Sequence, residues 1–227
     1  VIGERRFLGL FTASAYNESV TEIPVLRELV HRVTDSLGLV PGSHSAKDLR
    51  QFLETYPRDE LFQTHAEQLI EVAESVLHLL ERRQTKLYLR VDDYGRFVSC
   101  IVYLPRDRYT TPVRIRVEGL LREVFGGVSV DYTALVTESV LARLHYVVHL
   151  EPGAAVPHVD HAELEGMLAQ ATQSWEDLFT EAAVAAVGET EAPAFLAEYA
   201  AAFPEGYKEE FRAPIAVEDA RTIERLQ

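Results

Sequence analysis

A chain of 227 residues that is 47% apolar has room for one large or two small domains and enough apolar side chains for a buried core. Its 36 acidic against 22 basic side chains give a formal net charge of −14, which repels phosphate backbones and sets nucleic acid aside as a partner. The single cysteine, Cys100, excludes an internal disulfide and a thiolate metal cluster.

In chain order, the sequence opens on Val1, and its one methionine is Met167. With Glu4, Arg5 and Arg6 breaking the first apolar residues, neither a translation start nor a signal peptide is expected, and the chain reads as a piece of a longer polypeptide. No apolar run approaches the roughly 20 residues that span a bilayer, so no membrane segment is expected and a cytoplasmic location is. Arg6 to Thr12 reads as a lone strand, the last of a preceding domain, so that residues 1–12 form a terminal piece. Val25, Leu26, Leu29, Val30 and Val33 recur at helical spacing, and Gly38 with Pro41 ends that helix. A second helix is predicted from Ser45 to Tyr56, stopped by Pro57. Thr64 and Glu67 have capping-box spacing ahead of a third, whose stripe is Leu69, Val72, Ala73, Val76, Leu77 and Leu80. Residues 13–84 are therefore expected to form a packed helical connector.

After Thr85 the period changes. Thr85 to Val91, the turn DDYG and Arg96 to Leu104 have the grammar of a hairpin, with Cys100 as a small core residue in its second arm. Thr111, followed by Pro112, is read as the cap of a helix bearing Val113, Val117, Leu120, Leu121 and Val124 and closed by Gly126 and Gly127. Val128 to Thr137 and Leu141 to Leu150 form a second hairpin, each arm alternating over part of its length. Helices are expected from about Asp160 to Val187, near Pro193 to Phe203, and from Val217 to the end. The order strand, strand, helix, strand, strand, helix predicts an α+β, ferredoxin-like antiparallel four-stranded sheet. Its predicted strand order is 85–91, 96–104, 141–150, 128–137, with helices on one face. This unit is assigned residues 85–187, and a helical extension residues 188–227.

No G-x-G-x-x-G turn occurs, and Gly126 and Gly127 follow a helix instead of opening one, so no dinucleotide-binding turn is expected. Arg106 and Arg108 lie between a strand end and a helix N-terminus, where free backbone N–H groups favour an anion. Two guanidinium groups there fit a carboxylate, with the hydroxyls of Thr110 and Thr111 beside them. Surface ion pairs with Asp107 or a neighbouring helix are the alternative. His145 and His149 share a strand face but stand roughly 13 Å apart, too far to hold one ion; with His158, Asp160 and His161 they make a poor metal set, and none is expected. The strand from Arg96 is apolar on both faces: Val98, Cys100, Val102 and Leu104 on one, Phe97, Ile101 and Tyr103 on the other. Another domain of the same chain or another protomer is expected to cover the face away from the helices. Trp175, Phe179, Phe195, Tyr199 and Phe203 are spaced for helical core packing.

YGRFVSCIVYLPRDRYTT (Tyr94 to Thr111), VDYTALVTESVLARLHYVV (Val130 to Val148), AAAFPEGYKEEF (Ala200 to Phe211), RFLGLFT (Arg6 to Thr12) and LETYPRDELF (Leu53 to Phe62) together resemble the large bacterial NAD-specific glutamate dehydrogenases. The likeness falls in the long non-catalytic part ahead of their dehydrogenase domain. It implies that the four-stranded unit is an ACT-like regulatory module, a class that often binds amino acids at its first strand-to-helix loop. The parent enzyme would then use NAD to oxidise L-glutamate to 2-oxoglutarate and ammonium, while this segment holds neither cofactor nor catalytic residue. Catalytic lysines of such enzymes sit among glycines, and Lys47, Lys86 and Lys208, the only lysines here, do not. The expected role is a regulatory and assembly segment of a homo-oligomer, with Arg106, Arg108, Thr110 and Thr111 as candidate effector contacts. An independent amino-acid-binding module and a purely structural spacer remain as alternatives.

Overall fold

A computed structural model describes residues 9–82 and 84–226. The chain divides into two compact units, one running to residue 84 and the other starting at residue 85.

The first unit is helical: α1 (Ala13–Asn17), α2 (Pro24–Leu37), α3 (His44–Thr55), α4 (Arg58–Gln63) and α5 (Ala66–Arg82). Pro24 starts α2 with its fixed φ, and Gly38 ends it in the left-handed conformation at φ 55°. The Ser43 hydroxyl caps α3 by accepting from the Ala46 N–H. α5 packs against α2 and α3. The fully buried Leu26 and Val33, with Leu69 and Ala73, come from the expected apolar stripes, and the buried Leu49 and Leu53 of α3 join them in the interior. Glu54 ties the α1–α2 connection to this bundle, accepting from the Ser19 hydroxyl, the Val20 N–H at 3.2 Å and Arg58 at 3.5 Å. Burial alone would raise its pKa, but these donors outweigh burial and hold it low. Of the strand expected over Arg6 to Thr12, residues 6–8 lie outside the described residues and residues 9–12 form no strand. Thr64 closes α4, its N–H bonded to the Glu60 carbonyl, instead of opening α5.

The second unit begins with β1 (Lys86–Val91), β2 (Phe97–Pro105), α6 (Thr111–Phe125), β3 (Ser129–Leu135), β4 (Leu141–His149) and α7 (His161–Ala171). The four strands form one antiparallel sheet in the order β1-β2-β4-β3, the predicted order. Leu87 pairs with Val102, Cys100 with Tyr146, and Tyr132 with Tyr146 from the other side. Residues of one parity, Val98, Cys100, Val102 and Leu104 with Ala142, Leu144, Tyr146 and Val148, pack under Val113, Val117 and Leu121 of α6 and Leu164 and Leu168 of α7. The other face is withdrawn from solvent at its centre. Ser99 is 1% and Ile101 2% exposed, and Tyr103, also buried, lies edge-on to Tyr88 at 5.9 Å between ring centres.

Two tight places fix the hairpins. Gly95 takes φ 65° in the β1–β2 turn, and the buried Asp92 carboxylate accepts from the N–H groups of Tyr94 and Arg96 and from the Arg96 guanidinium at 2.7 and 2.8 Å. Arg96 holds Asp92 down at about 2. At the end of α6, a Cβ on Gly127 would collide with the Val148 side chain, so glycine lets the chain pass this close to β4.

The single helix expected from Asp160 to Val187 is two, α7 and α8 (Trp175–Val187). The break has a local cause: Thr172 is fully buried with its hydroxyl 2.7 Å from that of Thr85, and Ser174 with Asp177 forms a capping box that starts α8 afresh. α8 joins α9 (Ala192–Tyr199), α10 (Glu205–Glu210) and α11 (Ala213–Glu224) around a second core of Phe179, Ala183, Phe195, Tyr199, Ala216, Val217 and Ala220. The aromatic stripe of the sequence thus serves as packing: Trp175 stacks on Phe179 at 5.1 Å, and Phe203 joins both.

Candidate functional site

The loop between β2 and α6 is a single 3-10 turn, Arg106–Arg108, followed by the helix cap. Its cap is Thr110 and not Thr111: the Thr110 hydroxyl accepts from the Val113 N–H at 3.3 Å, which places Thr111 and Pro112 inside the first turn. Pro112 at the second helical position is as well tolerated as at the first, because neither N–H has a helical acceptor. Thr110 and Thr111 are both exposed, and the Thr111 hydroxyl makes no bond among the described residues.

The two arginines divide. Arg106 is exposed; its backbone N–H donates to the Val140 carbonyl at 2.9 Å and its guanidinium to the Thr137 carbonyl at 3.1 Å, so the loop is pinned to the β3–β4 connection while its charge meets no carboxylate among the described residues. Arg108 turns the other way and pairs with Asp177 of α8 at 3.0 Å, with side chains 29% and 35% exposed. Burial pushes the Asp177 carboxyl up, yet the Ser174 N–H and hydroxyl and then Arg108 bring it below its ordinary value. Tyr109 packs onto the core of the sheet. The structure therefore leaves Arg106, Thr110 and Thr111 exposed along this corner of the chain and assigns Arg108 to a bridge between the loop and the second core.

The histidines have separate structural uses. His145 Nε2 lies 2.9 Å from the Ser99 hydroxyl, His149 Nε2 2.9 Å from Asp131, and His161 Nε2 3.1 Å from the Leu87 carbonyl, while Asp160 caps α7. Among the described residues no three metal-ligating side chains converge, and no helix is long and apolar enough to cross a membrane.

A four-stranded antiparallel sheet with two helices on one face, set between helical segments, is an ACT-like arrangement. The family model "Glutamate dehydrogenase, ACT2 domain" matches residues 86–176, "helical motif 1" residues 23–82 and "helical motif 2" residues 182–226. This chain belongs to the glutamate dehydrogenase family. It is 40% identical to the NAD-specific glutamate dehydrogenase of Halomonas elongata over its whole length, and 39% and 40% identical to those of Pseudomonas aeruginosa and Mycobacterium tuberculosis over 98% of it. The chain spans about 14% of the length of each of these relatives. No solved structure matches it. The ACT2 match ends at the start of α8, where the structure passes from the core of the sheet to the second core.

Proposed function

We propose that this chain is a non-catalytic regulatory and assembly segment of a larger, cytoplasmic, homo-oligomeric NAD-dependent glutamate dehydrogenase. The parent protein would convert L-glutamate, NAD and water to 2-oxoglutarate, ammonium, NADH and a proton, with NAD bound outside these residues. The family membership and the short share of the relatives' length support this reading. Within the segment, the corner of Arg106, Thr110 and Thr111 is where an amino-acid effector would dock. Arg106 offers its charge to the carboxylate beside the N–H of Thr111, since Pro112 has none and the Thr110 hydroxyl takes that of Val113.

The observation that carries the regulatory part is the Arg108–Asp177 ion pair. An effector carboxylate that drew Arg108 to itself would release Asp177, and with it a restraint on the start of α8; binding at the loop and packing of the second core would thereby be coupled. The same pair favours the second reading, a structural spacer, in which Arg108 only fastens the two cores. Calorimetry of the chain with a panel of amino acids separates them. The regulatory reading expects one amino acid to bind, and expects Arg106→Ala with Arg108→Ala to weaken it at least about tenfold, since roughly 1.4 kcal/mol corresponds to that factor. If no amino acid binds, or if binding survives both substitutions, the spacer reading takes its place.

A further inference from the structure

The helical unit ahead of the sheet holds a hollow that the loop reading does not use. A cavity of about 580 Å³ lies between α2 and α3, within the range of roughly 300 to 1,000 Å³ common for small-molecule sites. Its walls are apolar: Val20, Val30, Leu49 and Leu53, all buried, with the half-buried Leu39. Its rim carries two cations, Lys47 and Arg50, one turn apart on α3, with His31 of α2 beside the same hollow; all three are exposed, and none of their side chains makes a hydrogen bond or ion pair among the described residues. The one carboxylate of the lining, Glu54, is engaged by Ser19, the Val20 N–H and Arg58.

Two uncompensated positive charges at adjacent turns repel each other and do nothing for the helix that carries them. On a chain of net charge −14, two cations without a carboxylate partner among the described residues stand out. An anion without an apolar body would leave the walls wet, and a neutral apolar molecule would leave the cations unmatched. We infer that this hollow binds a small apolar monocarboxylate, its hydrocarbon part against Leu49 and Leu53 and its carboxylate between Lys47 and Arg50. The inference does not depend on the proposed effector corner.

The test titrates the intact 227-residue chain with octanoate, and in parallel with octan-1-ol and inorganic phosphate, by calorimetry. Octanoate is expected to bind at least about tenfold more tightly than either, both halves of the site being needed. Lys47→Gln with Arg50→Gln, both at exposed positions, is expected to weaken octanoate at least about tenfold and to leave octan-1-ol unchanged. Arg106→Ala with Arg108→Ala is expected to leave octanoate binding alone, which separates a failure here from a failure at the loop. Nuclear magnetic resonance shift mapping on the unaltered chain is expected to place octanoate at Val30, Leu49 and Leu53. Octanoate binding no tighter than octan-1-ol, unaffected by the charge substitutions, or mapped elsewhere overturns the inference, as does no binding at all.

Discussion

Replacing Asp92 with Asn tests whether one buried carboxylate fastens the β1–β2 hairpin. The side chain is 3% exposed and accepts four hydrogen bonds, two from backbone N–H groups at 3.2 Å and two from Arg96 at 2.7 and 2.8 Å. Asn keeps the shape but loses the charge and turns an amide N–H₂ toward donors. The bond from the Arg96 side chain is the largest cause of the fall in Asp92 from 3.8 to about 2, burial opposing it and the N–H groups of Arg96 and Tyr94 adding to it. At roughly 1.36 kcal/mol per pH unit this is about 2.5 kcal/mol. Arg96 is 64% exposed, so solvent screens its share, and about 1 to 2 kcal/mol is the expected loss at pH 7. Because the carboxyl is depressed in the folded state, its contribution is complete above about pH 5 and disappears as the pH falls through 3.8 toward 2. Urea unfolding of both chains across that range should show a stability gap that narrows as the solution is acidified, with unchanged m-values. A gap of equal size at pH 7 and pH 3, or none at pH 7, refutes the assignment.

Gly127→Ala should destabilise the second unit by about 1 to 3 kcal/mol, because the new methyl collides with the buried Val148 and β4 cannot retreat from a central position; thermal unfolding measures it, and an unchanged transition contradicts the close approach. A double-mutant cycle on Arg108→Ala and Asp177→Ala should return a coupling of about 0.5 to 1 kcal/mol, as befits a pair about one-third exposed, and a value near zero would leave the bridge between the two cores without energetic meaning.

The sheet was legible because its signals are local and mutually consistent. A continuous apolar run between turn signals marks β2, alternation over part of its length marks β4, DDYG marks the turn that Gly95 makes, and Gly126 with Gly127 marks the end of α6. What escaped the sequence falls into two kinds. Short helices hide behind prolines: α4 and α10 each run six residues directly after Pro57 and Pro204, residues that read as stops for the helix before and serve equally as starts for the next. The break between α7 and α8 was written in Ser174 and Asp177 but lay inside a continuous apolar period that masked it. The second kind is not local at all. Nothing near Arg108 in sequence names Asp177, and nothing near Lys47 says that α3 faces a hollow beside α2; both depend on how distant helices come to lie together.

The two outer strands of the sheet are treated unequally. Within a strand, the N–H and C=O of one residue point to the same side. At Leu87 of β1 both are taken by α7: Glu165 accepts from the N–H at 3.0 Å while its other oxygen holds Lys86 at 2.7 Å, and His161 meets the carbonyl. β3 ends the sheet on the opposite side, mostly exposed, and its sequence SVDYTAL contains neither lysine nor proline to discourage an incoming strand. The two edges of the sheet are thus unlike: β1 is stoppered at Leu87 by its own helix, whereas β3 leaves its edge exposed.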